Sequence, residues 1–364
     1  MRRLIGSILA MAVILAAGKT YAGPKWEMNN DSNCWMQLGV LGQPQFLYTE
    51  NGTDKEDFFL RRGRIILTGQ VMDGVKLFLE TDAANAGKNG VPTAHVDIQD
   101  AFLDVRLHKC TLGEHWIKTG LILLPFSFEN RAGASSILGI DYNTEVIKMV
   151  NTFLWRDYGA ELHGNLTDKF SYIVGAYDGY DSAEGTKNAG AGLRMTAHVA
   201  VNLIGKAETE WFFSQERLGK KGNYLSIGAG IDSQDKATLT WASATNHAAG
   251  SEIIKDSEAW VVDFQSGFAA GPVDFTLNGA LYNWNNVSYD GQTAFVEGGM
   301  MGPCHKNMIT MKYSLQDPDT STVNTEDYTA GLHHFINGHN ARFGVEYRWG
   351  DSPTTILAGF QFLL

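Results

Sequence analysis

The chain has 364 residues, with 29 lysines and arginines against 40 aspartates and glutamates, for a formal net charge of -11. That acidity argues against a nucleic-acid partner, whose phosphates are met by an excess of bases. Its 40 glycines, 8 prolines and 11% aromatic residues exclude a chain of long charged helices, and Cys34, Cys110 and Cys304 are too few and too scattered for a disulfide framework.

Residues 1–22 begin Met1-Arg2-Arg3, continue as an apolar run to Ala17 and end in Lys19-Thr20-Tyr21-Ala22. A basic start, a short apolar core and small residues at the end describe a secretory signal, with the cut expected after Ala22 and Gly18 as the alternative. The run is short of the roughly 20 apolar residues of a spanning helix. Its removal takes away Arg2, Arg3 and Lys19 and no acids, carrying the charge from -11 to -14. The remainder, 23–364, reads as one domain.

Residues 26–33 read as a polar lead. A first strand is expected over 35–48, and the clearest one over 58–71, where Gly63, Ile65, Leu67, Gly69 and Val71 alternate with Arg62, Arg64, Thr68 and Gln70. Met72-Asp73-Gly74 is a hairpin turn, answered by 75–82. Strands follow over 96–107 and 116–123. The alternation then stops at Leu124-Pro125-Phe126 and resumes only at Phe153. The intervening stretch is too long for an ordinary connection. It is also too apolar for a solvated one, carrying Phe126, Phe128, Ile137, Leu138, Ile140, Tyr142, Val146 and Ile147. Either it packs inside a barrel, or it is a surface loop folded on itself.

Further strands are expected over 153–163, 170–180, 190–202, 224–232, 259–269, 273–284, 292–301, 307–316, 328–336, 340–349 and 354–364, giving about 16 in all, within the range of outer-membrane barrels. Short connections alternate with longer ones at 83–95, 124–151, 181–189, 233–258 and 317–327; the stretch 203–223 breaks the rule. Short turns on one rim and long loops on the other is the barrel plan. In the last strand Ile356, Ala358, Phe360, Phe362 and Leu364 share one apolar face. Trp35, Trp116, Trp155, Trp260 and Trp349 fall near strand ends, where aromatic girdles sit. The expected fold is therefore all-β: a transmembrane antiparallel β-barrel of about 16 strands, apolar outside and polar inside.

Three stretches resemble the phosphate-selective porin O and P family of Gram-negative outer membranes. Residues 59–69 (FLRRGRIILTG) resemble its arginine-rich strand. Residues 120–129 (GLILLPFSFE) resemble its strand entering a Pro-Phe-Gly-x-Glu loop, with Ser127 in place of the glycine. Residues 156–164 (RDYGAELHG) resemble its Arg-Asp-x-Gly strand. The resemblance implies a homotrimeric outer-membrane porin whose third external loop, 124–151, folds inward. It also implies passive diffusion of small ions and polar solutes, with an anion or phosphate preference as the finer expectation. The family's lysine and arginine ladder does not map residue by residue onto this chain.

Strand parity turns Arg62, Arg64, Lys76, Arg106, Lys118, Arg194, Lys312, Arg342 and Arg348 inward, against Glu80, Asp82, Asp100, Asp104, Asp157, Glu161, Asp263, Asp274 and Glu346. Arg62, Arg64, Lys76 and Lys118 form an expected basic strip. The long loop would face it with Glu129, Arg131, Asp141 and Glu145, making a constriction of opposed charges; ordinary cross-strand ion pairs are the other reading of the same residues. Acidic outer loops would draw cations or bridge lipopolysaccharide through divalent ions. The histidines show no metal-binding spacing, and neither a Ser-His-Asp order nor a phosphate-cradling loop appears, so no cofactor, metal or catalytic residue is expected. A non-conducting barrel (an adhesin or a complex scaffold) and a barrel lipase are the alternatives.

Overall fold

A computed structural model describes residues 23–28, 31–50, 56–91, 94–111, 113–150, 154–180, 192–205, 222–241, 252–286 and 288–364. Seventeen strands follow one another: β1 (Lys25–Met28), β2 (Asp31–Thr49), β3 (Glu56–Met72), β4 (Val75–Asp82), β5 (Asp97–Cys110), β6 (Gly113–Leu123), β7 (Arg156–Thr167), β8 (Phe170–Tyr177), β9 (Arg194–Ile204), β10 (Tyr224–Trp241), β11 (Glu252–Ala270), β12 (Val273–Asn285), β13 (Asp290–Met301), β14 (Asn307–Pro318), β15 (Thr325–Asn337), β16 (Ala341–Gly350) and β17 (Thr355–Leu363). From β2 to β17 each strand pairs antiparallel with the next. β17 returns to β2, with Thr355 opposite Thr49 and Leu363 opposite Leu41. The result is a closed 16-strand antiparallel barrel. Closure leaves no open edge, which is what allows a sheet to stand in lipid.

The burial pattern is inverted relative to a water-soluble sheet. On β9, Arg194, Thr196, His198 and Asn202 are buried, while Met195, Val199, Val201 and Leu203 are exposed. The same holds on β5, where Asp100 and Asp104 are buried and Leu103 and Leu107 exposed. Exposed apolar rows around buried polar ones fit a sheet whose outer solvent is hydrocarbon.

Local chemistry sets the turns. Gly74 lies at φ 77° between β3 and β4, a left-handed position that favours glycine. Pro44 has no N–H to give, and there the β2–β3 register slips: Gln43 faces Arg62 but Pro44 faces Leu60, leaving Arg61 as the extra residue of a bulge. The stretch 233–258 is largely not the loop expected. β10 and β11 run on as a hairpin from Asp232↔Ala259 to Trp241↔Glu252, polar enough to hide the alternation. The expected lead at 26–33 holds most of β1 and the start of β2, and the two strands pair. Most of the irregular stretch 203–223 lies outside the described residues.

Of the tryptophans expected near strand ends, Trp260 is exposed and Trp349 stacks on Tyr328 and Tyr347. Trp116 instead is buried, with the Lys76 ammonium 4.4 Å from its ring.

Candidate functional site

The segment between β6 and β7 starts where the sheet can no longer continue. Pro125 removes a backbone donor just after β6. Ser127 then caps a single helical turn, α1 (Phe128–Arg131), in a reciprocal capping box with Asn130. Asn130 also ties back to the Leu124 carbonyl at 2.8 Å. Ahead of β7, Leu154 and Trp155 both adopt positive φ, 43° and 66°, a strained return for two bulky residues.

An apolar cluster holds the two ends of the segment. Leu124, Phe126, Val146, Ile147 and Met149 pack with Val261 of β11, Tyr282 and Trp284 of β12, and Phe295 of β13. Phe126 has its ring 6.0 Å from Tyr282 and 5.5 Å from Trp284. Close by, the Phe128 amide donates to Asp263 of β11 at 2.6 Å, and Asp263 also meets His198 of β9 at 3.1 Å.

The middle of the segment has little regular structure, so its backbone must find partners elsewhere. It finds many of them on side chains of the buried face of the sheet. Gln43 of β2 donates to the Ala134 carbonyl at 2.9 Å, and Gln361 of β17 to that of Ser135 at 2.7 Å. Arg342 of β16 donates to the carbonyls of Ile137 and Gly139, at 2.8 and 2.9 Å. The Ile140 amide donates to Glu346 of β16 at 2.7 Å, and Thr293 of β13 donates to the Val146 carbonyl at 2.5 Å.

Charge does the rest. Asp141 accepts from Arg61 Nε at 2.5 Å and from Arg62 Nη2 at 2.7 Å. Glu145 accepts from Lys312 of β14 at 2.9 Å. Burial raises the Asp141 carboxyl, but Arg62 and Arg61 outweigh it, and the group titrates well below its ordinary value. Glu145 moves in the same direction for the same kind of reason, with Lys312 overcoming burial. Arg131, buried with its α1 turn, is pulled down to about 10 by desolvation, against the pull of Glu161 and Asp263.

Of the residues expected from sequence to form a constriction, Arg62 and Asp141 are brought together directly. Arg64 pairs with Glu80 at 2.6 Å and Asp82 at 3.0 Å. Lys118 pairs with Glu161 of β7 at 2.7 Å. Glu129 accepts the Asn143 amide at 2.8 Å and so braces the segment internally. Lys76 stands apart on the Trp116 ring and, among the described residues, makes no ion pair. Arg62, Arg64 and Lys118 are 2%, 6% and 1% exposed, so the strip's charges meet carboxylates rather than open water.

Other residues that hold the segment lie outside that expected set. Arg61 is turned toward Asp141 at the bulge opposite Pro44, which strict alternation does not show. Lys312, Arg342 and Glu346 had the right parity but no sequence signal tying them to the segment. Glu297, which accepts from Asn143 at 3.3 Å, and Asp232, which pairs with Arg194 at 2.5 Å, are further buried charges, as are Arg156 and Asp100, paired at 2.9 Å.

A closed 16-strand barrel of this kind defines the porin class of fold. The structure is similar to Salmonella typhi OmpF in complex with daunomycin, at TM-score 0.59 and 14% identity, covering 93% of this chain and 100% of that one. It is also similar to a mutant of the Rh. blastica porin, at TM-score 0.58 and 12% identity over 90% of this chain and 100% of that one. A third is the outer membrane channel DcaP of Acinetobacter baumannii, at TM-score 0.57 and 13% identity over 94% of this chain and 100% of that one. No protein-family model and no curated relative matches the chain.

Proposed function

We propose that the protein is a porin of a Gram-negative outer membrane, exported by cleavage of residues 1–22, through which small ions and polar solutes diffuse passively. In this reading residues 124–150 lie across the lumen and set its bore. The observation that carries it is the spread of the segment's partners around the barrel: β9, β11, β12, β13, β14, β16, β17, β2 and β3 all contribute side chains to it. Partners on so many strands support a position inside the barrel.

The pore would select weakly between ions. A charged ring sets ion preference only where its charge is unbalanced, and here Arg62, Arg64, Lys118 and Lys312 each face carboxylates. An anion or phosphate preference is the finer proposal. It rests on the quoted resemblance and on Lys76 and Arg348, which make no ion pair among the described residues. A homotrimer is proposed on the same resemblance; among the similar structures, in-vitro folded OmpT of Vibrio cholerae is described as a trimer form. Lipid and lipopolysaccharide are the proposed surroundings, the latter bridged by divalent ions to the acidic outer loops.

Single-channel recording in a planar bilayer under a salt gradient tests this. Discrete conductance with a reversal potential near zero, or shifted modestly toward anions, is expected. A silent membrane would leave a non-conducting scaffold, and release of fatty acid from phospholipid would leave a lipase.

A further inference from the structure

Four neighbouring strands turn one row of residues toward the inside of the barrel. His333 of β15 faces Gly344 of β16, Gly344 faces Gly359 of β17, and Gly359 faces Gln45 of β2. Two side chains are therefore missing side by side, between a buried imidazole and a buried amide. The adjoining inward positions of β16 and β17 carry Arg342, Glu346 and Gln361, which hold the segment. Glycine weakens a strand, and inside one it often marks the close approach of another part of the chain. Neither glycine has a positive φ, so the backbone conformation does not require them.

What approaches is Ile140. A Cβ on Gly359 would stand 2.6 Å from Ile140 Cγ2, and one on Gly344 would stand 3.3 Å from Ile140 Cγ1. Ile140 is 8% exposed, and the cavity left beside it measures about 10 Å³, barely enough for one water. The backbone around it is pinned. The Ile140 amide donates to Glu346 at 2.7 Å, Arg342 donates to the Gly139 carbonyl at 2.9 Å, and Asp141 is clamped by Arg61 and Arg62. A β-branched side chain is also stiff at χ1, so Ile140 has no easy way to swing aside.

We propose that the glycine pair is a socket, that Ile140 is the knob seated in it, and that this fit sets how far the middle of segment 124–150 stands off the wall, and with it the bore. The polar clamps choose which groups meet, and the socket sets the distance. Non-bonded carbons rest about 3.5–4.0 Å apart, so a methyl at Gly359 would push the tip off the wall by about 1 Å. The other near neighbours of that methyl lie at 3.7 Å or more, so Ile140 alone obstructs it. Gly344 is the less separable half, because a Cβ there would also meet the His333 ring at 2.5 Å. The effect on conductance rests on the porin reading given above; the fit itself does not.

Single-channel conductance of the full-length protein and two variants tests it. Gly359→Ala should lower the unit conductance. In Gly359→Ala with Ile140→Ala the two β carbons stand 3.8 Å apart, an ordinary contact, so the double variant should return to the natural conductance. Natural conductance in the single variant overturns the proposal, and so does a double variant as reduced as the single one. If Gly359→Ala does not fold, Ile140→Trp takes its place: a ring too large for the socket should lower the conductance, and no change overturns the proposal. If the natural barrel is silent, the porin reading fails, and hydrogen exchange of the Ile140 amide in detergent decides the socket. That amide should exchange about tenfold faster or more in Gly359→Ala, the scale expected of overpacking a filled contact, and at the natural rate in the double variant. Equal exchange in the natural and single-variant proteins overturns the proposal.

Discussion

The two ends of segment 124–150 and its middle are held by opposite kinds of force. The ends sit in an apolar cluster, where Phe126, Leu124 and Val146 are all 0% exposed. The middle is held by Arg342, Glu346, Gln43 and Gln361 and by the clamps of Asp141 and Glu145, whose side chains remain 23% and 16% exposed. Apolar burial is nearly indifferent to salt and pH, whereas a charge clamp depends on both. The difference gives one element a fixed root and a titratable tip.

The largest break in that contrast should come at the root. Phe126→Ala removes a ring packed against the stacked pair Tyr282 and Trp284 and should cost about 3–5 kcal/mol of local stability. Protease nicking of the segment in the folded barrel reads it: rapid cleavage is expected at all salt concentrations.

Asp141→Asn comes next. Breaking a fully buried pair costs roughly 3–5 kcal/mol by stranding the partner. Because this carboxylate keeps some contact with water, about 2 kcal/mol is the fair expectation. The middle should loosen while the root stays protected, which hydrogen exchange at residues 137–145 against 124–128 would separate.

Acid should do the same reversibly. Asp141 and Glu145 titrate lower in the fold than in an unfolded chain. They therefore add stability at any pH above the unfolded value of about 4, and this contribution is lost as pH falls through the depressed folded values. Open-channel noise should be flat from neutral pH down to about 5 and rise below about 4. A rise already near neutrality would contradict the clamp.

The smallest effect is expected of Glu145→Gln. Its pair with Lys312 is partly wet, so about 0.5–1 kcal/mol is at stake. A modest increase in exchange confined to the neighbourhood of residue 145 would sharpen the contrast.

The barrel itself was largely legible in the sequence. Period-two alternation places an apolar row on each strand, and the sixteen expected strands correspond to β2–β17, with shifted ends. What failed did so for local reasons. β1 is too short and polar to show a pattern. The β10–β11 hairpin extends beyond the stretch where one face must be apolar. Arg61 lies on a bulge, and one extra residue reverses parity. At the site, inward parity found the charges but not their partners. Arg64 with Glu80 and Lys118 with Glu161 follow from register, which needs the sheet. Asp141 with Arg62 joins residues far apart in sequence through a segment with no period of its own. Trp284, central to the root, was read only as part of a strand.

The central claim is that this segment sets the bore of a conducting barrel. Single-channel conductance of the natural protein and of a variant lacking residues 132–143 tests it most directly. The account predicts discrete openings in both and a clearly larger unit conductance in the deletion, with β2–β17 intact by circular dichroism. Equal conductance in the two proteins would contradict it and make the segment something other than the constriction.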